Sequence, residues 1–75
     1  MKKYRWHSET RYYCAYLYQD LFGDWIVNRS WGGRYNELGG AAYQVFENRE
    51  TAEEALSDIA KTRQKRAYSL IRYHA

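Results

Sequence analysis

Arginine and tryptophan side chains near the middle of the chain are the groups best suited to bind a phosphate-bearing ligand. The segment Arg29-Ser30-Trp31-Gly32-Gly33-Arg34 places one indole between two guanidinium groups. A guanidinium donates paired hydrogen bonds to phosphate, and an indole stacks on a sugar or a base. Each residue also has a structural interpretation: Trp31 as a packed aromatic, Arg29 in a cross-strand ion pair, and Arg34 as a solvated loop charge.

A second concentration of positive charge lies in the last quarter of the chain. Residues 61–75 contain no acidic residue but hold Lys61, Arg63, Lys65, Arg66 and Arg72. The first four either attract a phosphate backbone or compensate the dipole at the end of a helix. The net charge of the whole chain is only +3, so the clustering is more informative than the total.

Side chains typical of catalysis are sparse. His7, His74 and Cys14 have no spacing typical of a metal site or a nucleophile–base pair. We expect both histidines to be solvated and Cys14 to pack as a small apolar group. A chain of 75 residues also has little room for a deep pocket. We therefore expect no enzymatic activity, no cofactor or metal, and no small-molecule substrate.

Composition indicates one small folded domain. The chain has 45% hydrophobic and 19% aromatic residues, enough for a compact core. It contains no apolar run of membrane-spanning length and no signal-peptide pattern. A single cysteine suits a reducing compartment. These features predict a soluble, cytoplasmic protein without a membrane partner.

Hydrophobic patterning predicts an α+β fold with the element order β-β-β-α-β. Strands are predicted at residues 11–19, 25–31, 42–47 and 68–73, with a glycine-flanked loop at 32–40. Thr51 begins a capping-box pattern that opens a helix, and Asn48 is the alternative cap. We expect a small antiparallel sheet with one helix across it. Residues 1–10 are predicted to be a flexible N-terminal arm, and residues 11–75 to form the domain.

Tyrosine is unusually frequent, with nine residues in the chain. The predicted first strand is aromatic or apolar on both faces, which indicates a central strand covered on both sides. As an exposed stripe, such rings suit single-stranded nucleic acid, whereas core packing is the alternative role for most of them. The residues concerned are Tyr12, Tyr13, Tyr16, Tyr18 and Tyr43.

The segment Arg29-Ser30-Trp31-Gly32, between a hairpin and a capped helix, resembles the WGR domain. This domain occurs in poly(ADP-ribose) polymerases and in stand-alone bacterial proteins, and the segment at residues 20–25 is similar to the bacterial branch. Tyr12-Tyr13, Trp25 and the helix start at residues 53–56 also fit. The resemblance covers about residues 11–72 and implies one helix on an antiparallel sheet.

The resemblance implies DNA binding near a strand end, with Trp31 against the sugar–phosphate chain, and it implies no catalysis. The third motif position is Gly33 rather than Arg, and Arg34 follows it. A shift of one residue in a strand turns a side chain to the other face, whereas in a flexible loop Arg34 can still swing in.

We therefore expect a non-catalytic module that binds the backbone or ends of double-stranded DNA. The predicted contacts are Trp31, Gly32, Arg34, Arg29, Lys61, Arg63, Lys65 and Arg66. The alternative is a protein-interaction or self-association module without DNA binding, since surplus aromatics are typical of protein interfaces.

Overall fold

The computed structural model describes residues 2–74, which form a five-stranded antiparallel sheet with one helix across it. The strands follow the order β4-β3-β2-β1-β5. This arrangement confirms the predicted α+β fold and adds one strand at the start. The elements are β1 (Lys2–His7), β2 (Arg11–Gln19), β3 (Trp25–Gly33), β4 (Gly39–Phe46), α1 (Arg49–Lys65) and β5 (Ser69–His74).

The first strand corrects the predicted N-terminal arm. β1 lies inside the sheet, paired with β2 on one side and β5 on the other. Tyr4 and Trp6 stack with parallel rings 5.2 Å apart on the helix side, and Trp6 is buried. Lys2 forms an ion pair with Glu53 of the helix at 3.1 Å. The polar, irregular character of this segment predicted an arm, but its alternating aromatics belong to a strand, and the expectation of an arm is wrong for residues 2–7.

The predicted β2–β3 hairpin is confirmed, and Asp20 shapes its turn. The Asp20 carboxylate accepts hydrogen bonds from the backbone N–H groups of Phe22 and Asp24 at 2.9 and 3.0 Å. Gly23 has a φ of +87°, a conformation that glycine adopts without steric cost. Aspartate and glycine are the residue types that such turns require.

The glycine-flanked loop is shorter than predicted, because both of its ends continue the strands. β3 runs to Gly33, β4 starts at Gly39, and Gly32 pairs with Gly39 across the ladder. A Cβ at Gly32 would lie 2.7 Å from the Leu38 carbonyl oxygen, and one at Gly40 would lie 3.0 Å from the Trp31 ring. The glycines therefore allow close approach of backbone and indole inside the sheet.

The helix begins at Arg49, and Asn48 is its N-cap. The Asn48 side chain accepts a hydrogen bond from the Thr51 N–H at 3.0 Å, while the Thr51 hydroxyl donates back to the Asn48 carbonyl at 3.1 Å. Thr51 thus lies in the first turn, and its prediction as the cap is wrong. Asn48 is preferred because its extended backbone leaves its side chain free to satisfy an N–H group of the first turn.

The helix ends in a Schellman motif, which fixes the chain beyond it. Ala67 adopts a left-handed conformation with a φ of +61°. The Tyr68 N–H donates to the Arg63 carbonyl at 3.0 Å, and the Ala67 N–H donates to the Gln64 carbonyl at 3.3 Å. This reversal turns Tyr68 back over Arg63 and directs the chain into β5.

The core lies between the helix and one face of the sheet. Its buried members are Trp6, Tyr13, Ala15, Leu17, Val27, Ala52 and Leu56. Alternate residues of the same strands point to the opposite side, which we call the outer face, and no element of residues 2–74 covers it. The expectation that β2 is covered on both sides is therefore wrong: it is the central strand, but the single helix covers one side only.

Candidate nucleic-acid interface

A groove with an open cavity of about 880 Å³ lies where the β1–β2 turn, the β3–β4 loop and the end of the helix meet. We call it the arginine groove. Each strand contributes side chains at every second position, so the register determines which residues reach it. Its lining includes Arg11, Tyr13, Arg29, Trp31, Arg63, Arg66 and Tyr68.

Trp31 forms one wall of the groove. Its ring stacks nearly parallel on Tyr13, with ring centres 6.0 Å apart and 16° between the planes. Tyr13 is itself buried and contacts Trp6 edge-on at 6.0 Å, so the indole packs on a buried aromatic ring. The indole remains 36% exposed. This arrangement holds an aromatic surface in place while leaving part of it available to a ligand.

Arg63 lies over the same aromatic cluster. Its guanidinium carbon is 4.1 Å from the centre of the Tyr13 ring and 5.1 Å from that of Tyr68. Cation–π contacts of this kind orient a guanidinium without neutralising its charge. The Arg63 Nε atom is buried and has no hydrogen-bond partner within residues 2–74. The side chain is thus positioned by rings and retains its capacity to bind an anion.

The groove carries four positive charges and, among the described residues, no carboxylate. Arg11, Arg29, Arg63 and Arg66 line it, and no Asp or Glu does. The two ion pairs found between described residues both involve Glu53, at the other end of the helix. Since no acid in its lining offsets these guanidinium groups, the lining itself is cationic and is suited to a phosphate chain.

The structure brings together only part of the predicted site. Trp31, Gly32, Arg29, Arg63 and Arg66 all line the groove, with Gly32 contributing backbone. By contrast, Arg34, Lys61 and Lys65 are exposed and do not line it. Helical periodicity separates the two lysines from Arg63 and Arg66, because neighbouring helical positions point in different directions.

Arg34 is bound elsewhere. Its guanidinium donates to the carbonyl oxygens of Ser8 and Glu9 at 3.2 and 3.4 Å, and its backbone N–H donates to the Thr10 carbonyl at 2.8 Å. Burial lowers the pKa of His7, and the charges of Arg34 and Arg5 lower it further. Arg34 therefore clamps the β1–β2 turn, near the His7 end of the outer face.

Arg11 and Tyr68 are the charged and aromatic residues of the groove that sequence reasoning missed as site residues. Arg11 is the cross-strand partner of Gly33 and therefore lies on the same side of the sheet as Trp31. An antiparallel hairpin register counted back from the 20–24 turn would have predicted this pairing. Tyr68 reaches the groove through the left-handed Ala67, for which the sequence contains no glycine signal.

Within residues 2–74 there is no group of three or more His, Cys, Asp or Glu residues placed to hold a metal ion. Among the same residues, no helix has the length and apolar character needed to cross a membrane.

The fold and the groove define a small α+β module with an aromatic, arginine-rich groove. The model of the WGR domain family matches residues 3–73 of the 75-residue chain, and the chain belongs to that family. The match begins within β1, in agreement with the place of that strand in the sheet. Neither the curated proteins nor the solved structures include a match to this chain.

Proposed function

We propose that this WGR domain is a non-catalytic module that binds the backbone of double-stranded DNA in the arginine groove. The observation that carries the proposal is the set of four arginines without a carboxylate beside a fixed, part-exposed indole. Guanidinium groups form charge-assisted hydrogen bonds to phosphate, and the indole packs on the adjoining sugar. None of these contacts reads a base, so binding would not depend on sequence.

Open DNA ends are the preferred target in this proposal. The groove is formed at the end of the sheet, by the β1–β2 turn, the β3–β4 loop and the helix terminus. A strand end offers a terminal phosphate and an exposed sugar that Trp31 can contact without opening the duplex. A closed hairpin end offers neither of these groups.

Arg11 supplies the charge that this chain lacks at Gly33. The two residues are direct cross-strand partners, so an arginine at either position starts from the same part of the sheet. Arg11 is exposed and lines the groove, whereas Arg34 is bound to the β1–β2 turn. In this proposal Arg11, rather than Arg34, contacts phosphate beside Trp31.

Fluorescence anisotropy with a labelled duplex tests the proposal through a matched pair of charge changes. Arg66→Gln and Lys65→Gln remove one charge each from adjacent residues, but only Arg66 lines the groove. Arg66→Gln is expected to weaken binding and to reduce the slope of log affinity against log salt by about 0.9, one phosphate contact. Lys65→Gln should leave the slope nearly unchanged.

The same titrations are made with the Trp31→Ala variant and with two forms of DNA end. Trp31→Ala should weaken binding about tenfold, because it removes the stacking surface, and abolish any preference for a 5′-phosphorylated blunt end over a closed hairpin. Circular dichroism controls for folding. Equal effects of Arg66→Gln and Lys65→Gln, or unaltered affinity in folded Trp31→Ala, would overturn the proposal.

The alternative function is that of a protein-interaction module, and one observation favours it. Leu21 and Phe22, in the β2–β3 turn, are 101% and 90% exposed. Two adjacent apolar side chains at a hairpin tip are typical of a contact with another protein. Absence of duplex binding at low salt, together with an unaffected fold, would favour this alternative.

A further inference from the structure

The outer face of the sheet is rich in tyrosine although no helix or strand of residues 2–74 covers it. On β2 this face carries Tyr12, Cys14, Tyr16 and Tyr18. On β4 it carries Tyr43, which is aligned with Tyr16 through Asn28 of β3. Tyr43 is 71% exposed, and the β2 tyrosines are partly exposed. A solvated sheet face normally carries polar side chains, so one exposed ring and three partly exposed rings on this face indicate a binding surface.

Positive charges accompany these rings. Lys3, Arg5 and Arg72 belong to the outer face by register, because they align with Tyr16 and Cys14. The Lys3 ammonium lies 5.2 Å from the centre of the Tyr16 ring, and the Arg5 guanidinium carbon lies 5.1 Å from that of Tyr12. Lys3 and Arg5 thus each lie over an aromatic ring of β2.

Acidic residues are absent from all five strands and therefore from both faces of the sheet. The strand sequences contain no Asp or Glu, and the helix carries its acids in its first ten residues. The outer face consequently has no carboxylate on its own strands to neutralise its cations. This charge pattern is complementary to a polyanion. It differs from the mixture of positive and negative charges that is usual at a protein interface.

One row across the outer face places different binding groups side by side. Tyr43, Asn28, Tyr16 and Lys3 are successive cross-strand partners on β4, β3, β2 and β1. Adjacent strands are about 4.8 Å apart, so the backbones of Tyr43 and Tyr16 are about 10 Å apart with Asn28 between them. The amide offers a donor and an acceptor to a base edge, and the Lys3 ammonium lies over the Tyr16 ring.

We propose that the outer face binds a single-stranded segment of nucleic acid, with a base on Tyr43, a base edge at Asn28, and phosphates at Lys3 and Arg72. A duplex offers this surface few base faces, because all but those at its ends are stacked internally. An unpaired strand presents both ring faces and phosphates, the two groups to which an aromatic and basic sheet is complementary. This site is separate from the arginine groove, which lies on the opposite side of the sheet.

The test uses labelled oligothymidine and oligouridine of about 15 nucleotides, a length that spans the face. Tyr43→Ser removes an exposed ring from an edge strand. Its matched control is Gln44→Ala, the adjacent residue of β4, which points to the helix side. Tyr43→Ser is expected to weaken single-strand binding at least about fivefold, and Gln44→Ala to leave it unchanged. Equal binding of the two oligonucleotides indicates stacking, whereas a preference for oligouridine that oligodeoxyuridine does not share indicates an added contact to the 2′-hydroxyl.

Charge changes and duplex binding separate this proposal from that of the groove. Lys3→Gln with Arg72→Gln should reduce the salt slope for the single strand by about 0.7 for each phosphate that is no longer bound, while duplex affinity is retained. Arg66→Gln should do the reverse. Failure of duplex binding alone would therefore leave the outer-face proposal standing.

Two results would overturn the outer-face proposal. One is equal single-strand affinity of the native chain, Tyr43→Ser and the Lys3 and Arg72 double variant. The other is concentration-dependent dimerisation in light scattering that Tyr43→Ser abolishes, since the occupant of the face would then be a second copy of this chain.

Discussion

The two faces of the sheet are made from the same five strands, yet their aromatic rings have different neighbours. On the helix side, Tyr13 lies among other rings and beneath the Arg63 guanidinium, and it is buried. On the outer face, Tyr12 and Tyr16 lie beside cations and remain partly exposed. The single helix covers one side only. Burial of a tyrosine in this protein therefore depends on the position of the helix rather than on the local sequence.

The same comparison distinguishes the two candidate binding surfaces. The arginine groove is concave, and Arg63 and Trp31 are held there by contacts with Tyr13. The outer face is open, and its most exposed ring, Tyr43, is on an edge strand. A concave cationic site suits a fixed backbone, whereas an open aromatic surface suits a flexible strand.

The largest expected difference between the faces is in stability. Leu17 is 2% exposed on the helix side, and its neighbour Tyr18 lies on the outer face. Leu17→Ala should lower the free energy of unfolding by about 3 kcal/mol, because it leaves a cavity in a small core. Tyr18→Ala should lower it by less than about 1.5 kcal/mol, since its site is open to water. Urea denaturation measures both, and a larger loss for Tyr18→Ala would mean that the outer face is covered in solution.

An intermediate effect is expected when a charge is moved within the arginine groove. Arg11→Ser should weaken duplex binding about fivefold and lower the salt slope by about 1. Adding Gly33→Arg should restore much of both, because the new guanidinium starts from the cross-strand position. Anisotropy titrations at several salt concentrations measure the two quantities.

Gly33→Ala in the same Arg11→Ser background is the control for the added side chain. A Cβ at Gly33 meets the Asn36 side chain, so alanine carries that steric cost without the charge. Equal recovery with alanine and arginine would show that backbone conformation, rather than charge, is responsible.

The smallest expected effect is a pH dependence at the outer face. His7 accepts a hydrogen bond from the Arg5 Nε at 3.0 Å, its cross-strand partners are Tyr12 and Ser69, and burial, Arg34 and Arg5 lower its pKa. The unfolded chain therefore binds the proton more tightly than the folded chain does. Stability should decrease as pH falls from about 6.5 through the lower pKa of the folded state.

Urea midpoints at about pH 7.5 and about pH 5.5 test this effect against His7→Gln, which should lose this part of the pH dependence. If the outer face binds a single strand, bound phosphates favour protonated His7, and affinity should rise over the same interval. An identical pH dependence of the native chain and His7→Gln would contradict the assignment.

Local patterns predicted the elements whose signals lie within a few residues. The β2–β3 hairpin follows from alternating aromatics and a turn containing Asp20 and Gly23. The helix follows from its apolar stripe, although two polar residues, Asn48 and Thr51, competed for its cap. Side-chain hydrogen bonds decided between them, and such geometry is not visible in a sequence.

The candidate site was predicted less completely, because it combines residues that are distant in the chain. Trp31 and Arg63 were identified by residue type, and both line the groove. Arg11 was missed because its significance depends on its pairing with Gly33. Arg34 was included because it is adjacent to the motif, but its side chain contacts the β1–β2 turn.

The sequence by itself determined the α+β composition, the strand and helix periodicities, the excess of arginine and the resemblance to the WGR family. Only the tertiary structure placed β1 between β2 and β5 and put the helix on one side of the sheet. In the resulting structure, Arg11 and Tyr68 line the groove, whereas Tyr12, Tyr16 and Tyr43 lie on the outer face. The physical reason is that successive strand residues point to opposite faces, so long-range pairing and register decide where each side chain acts.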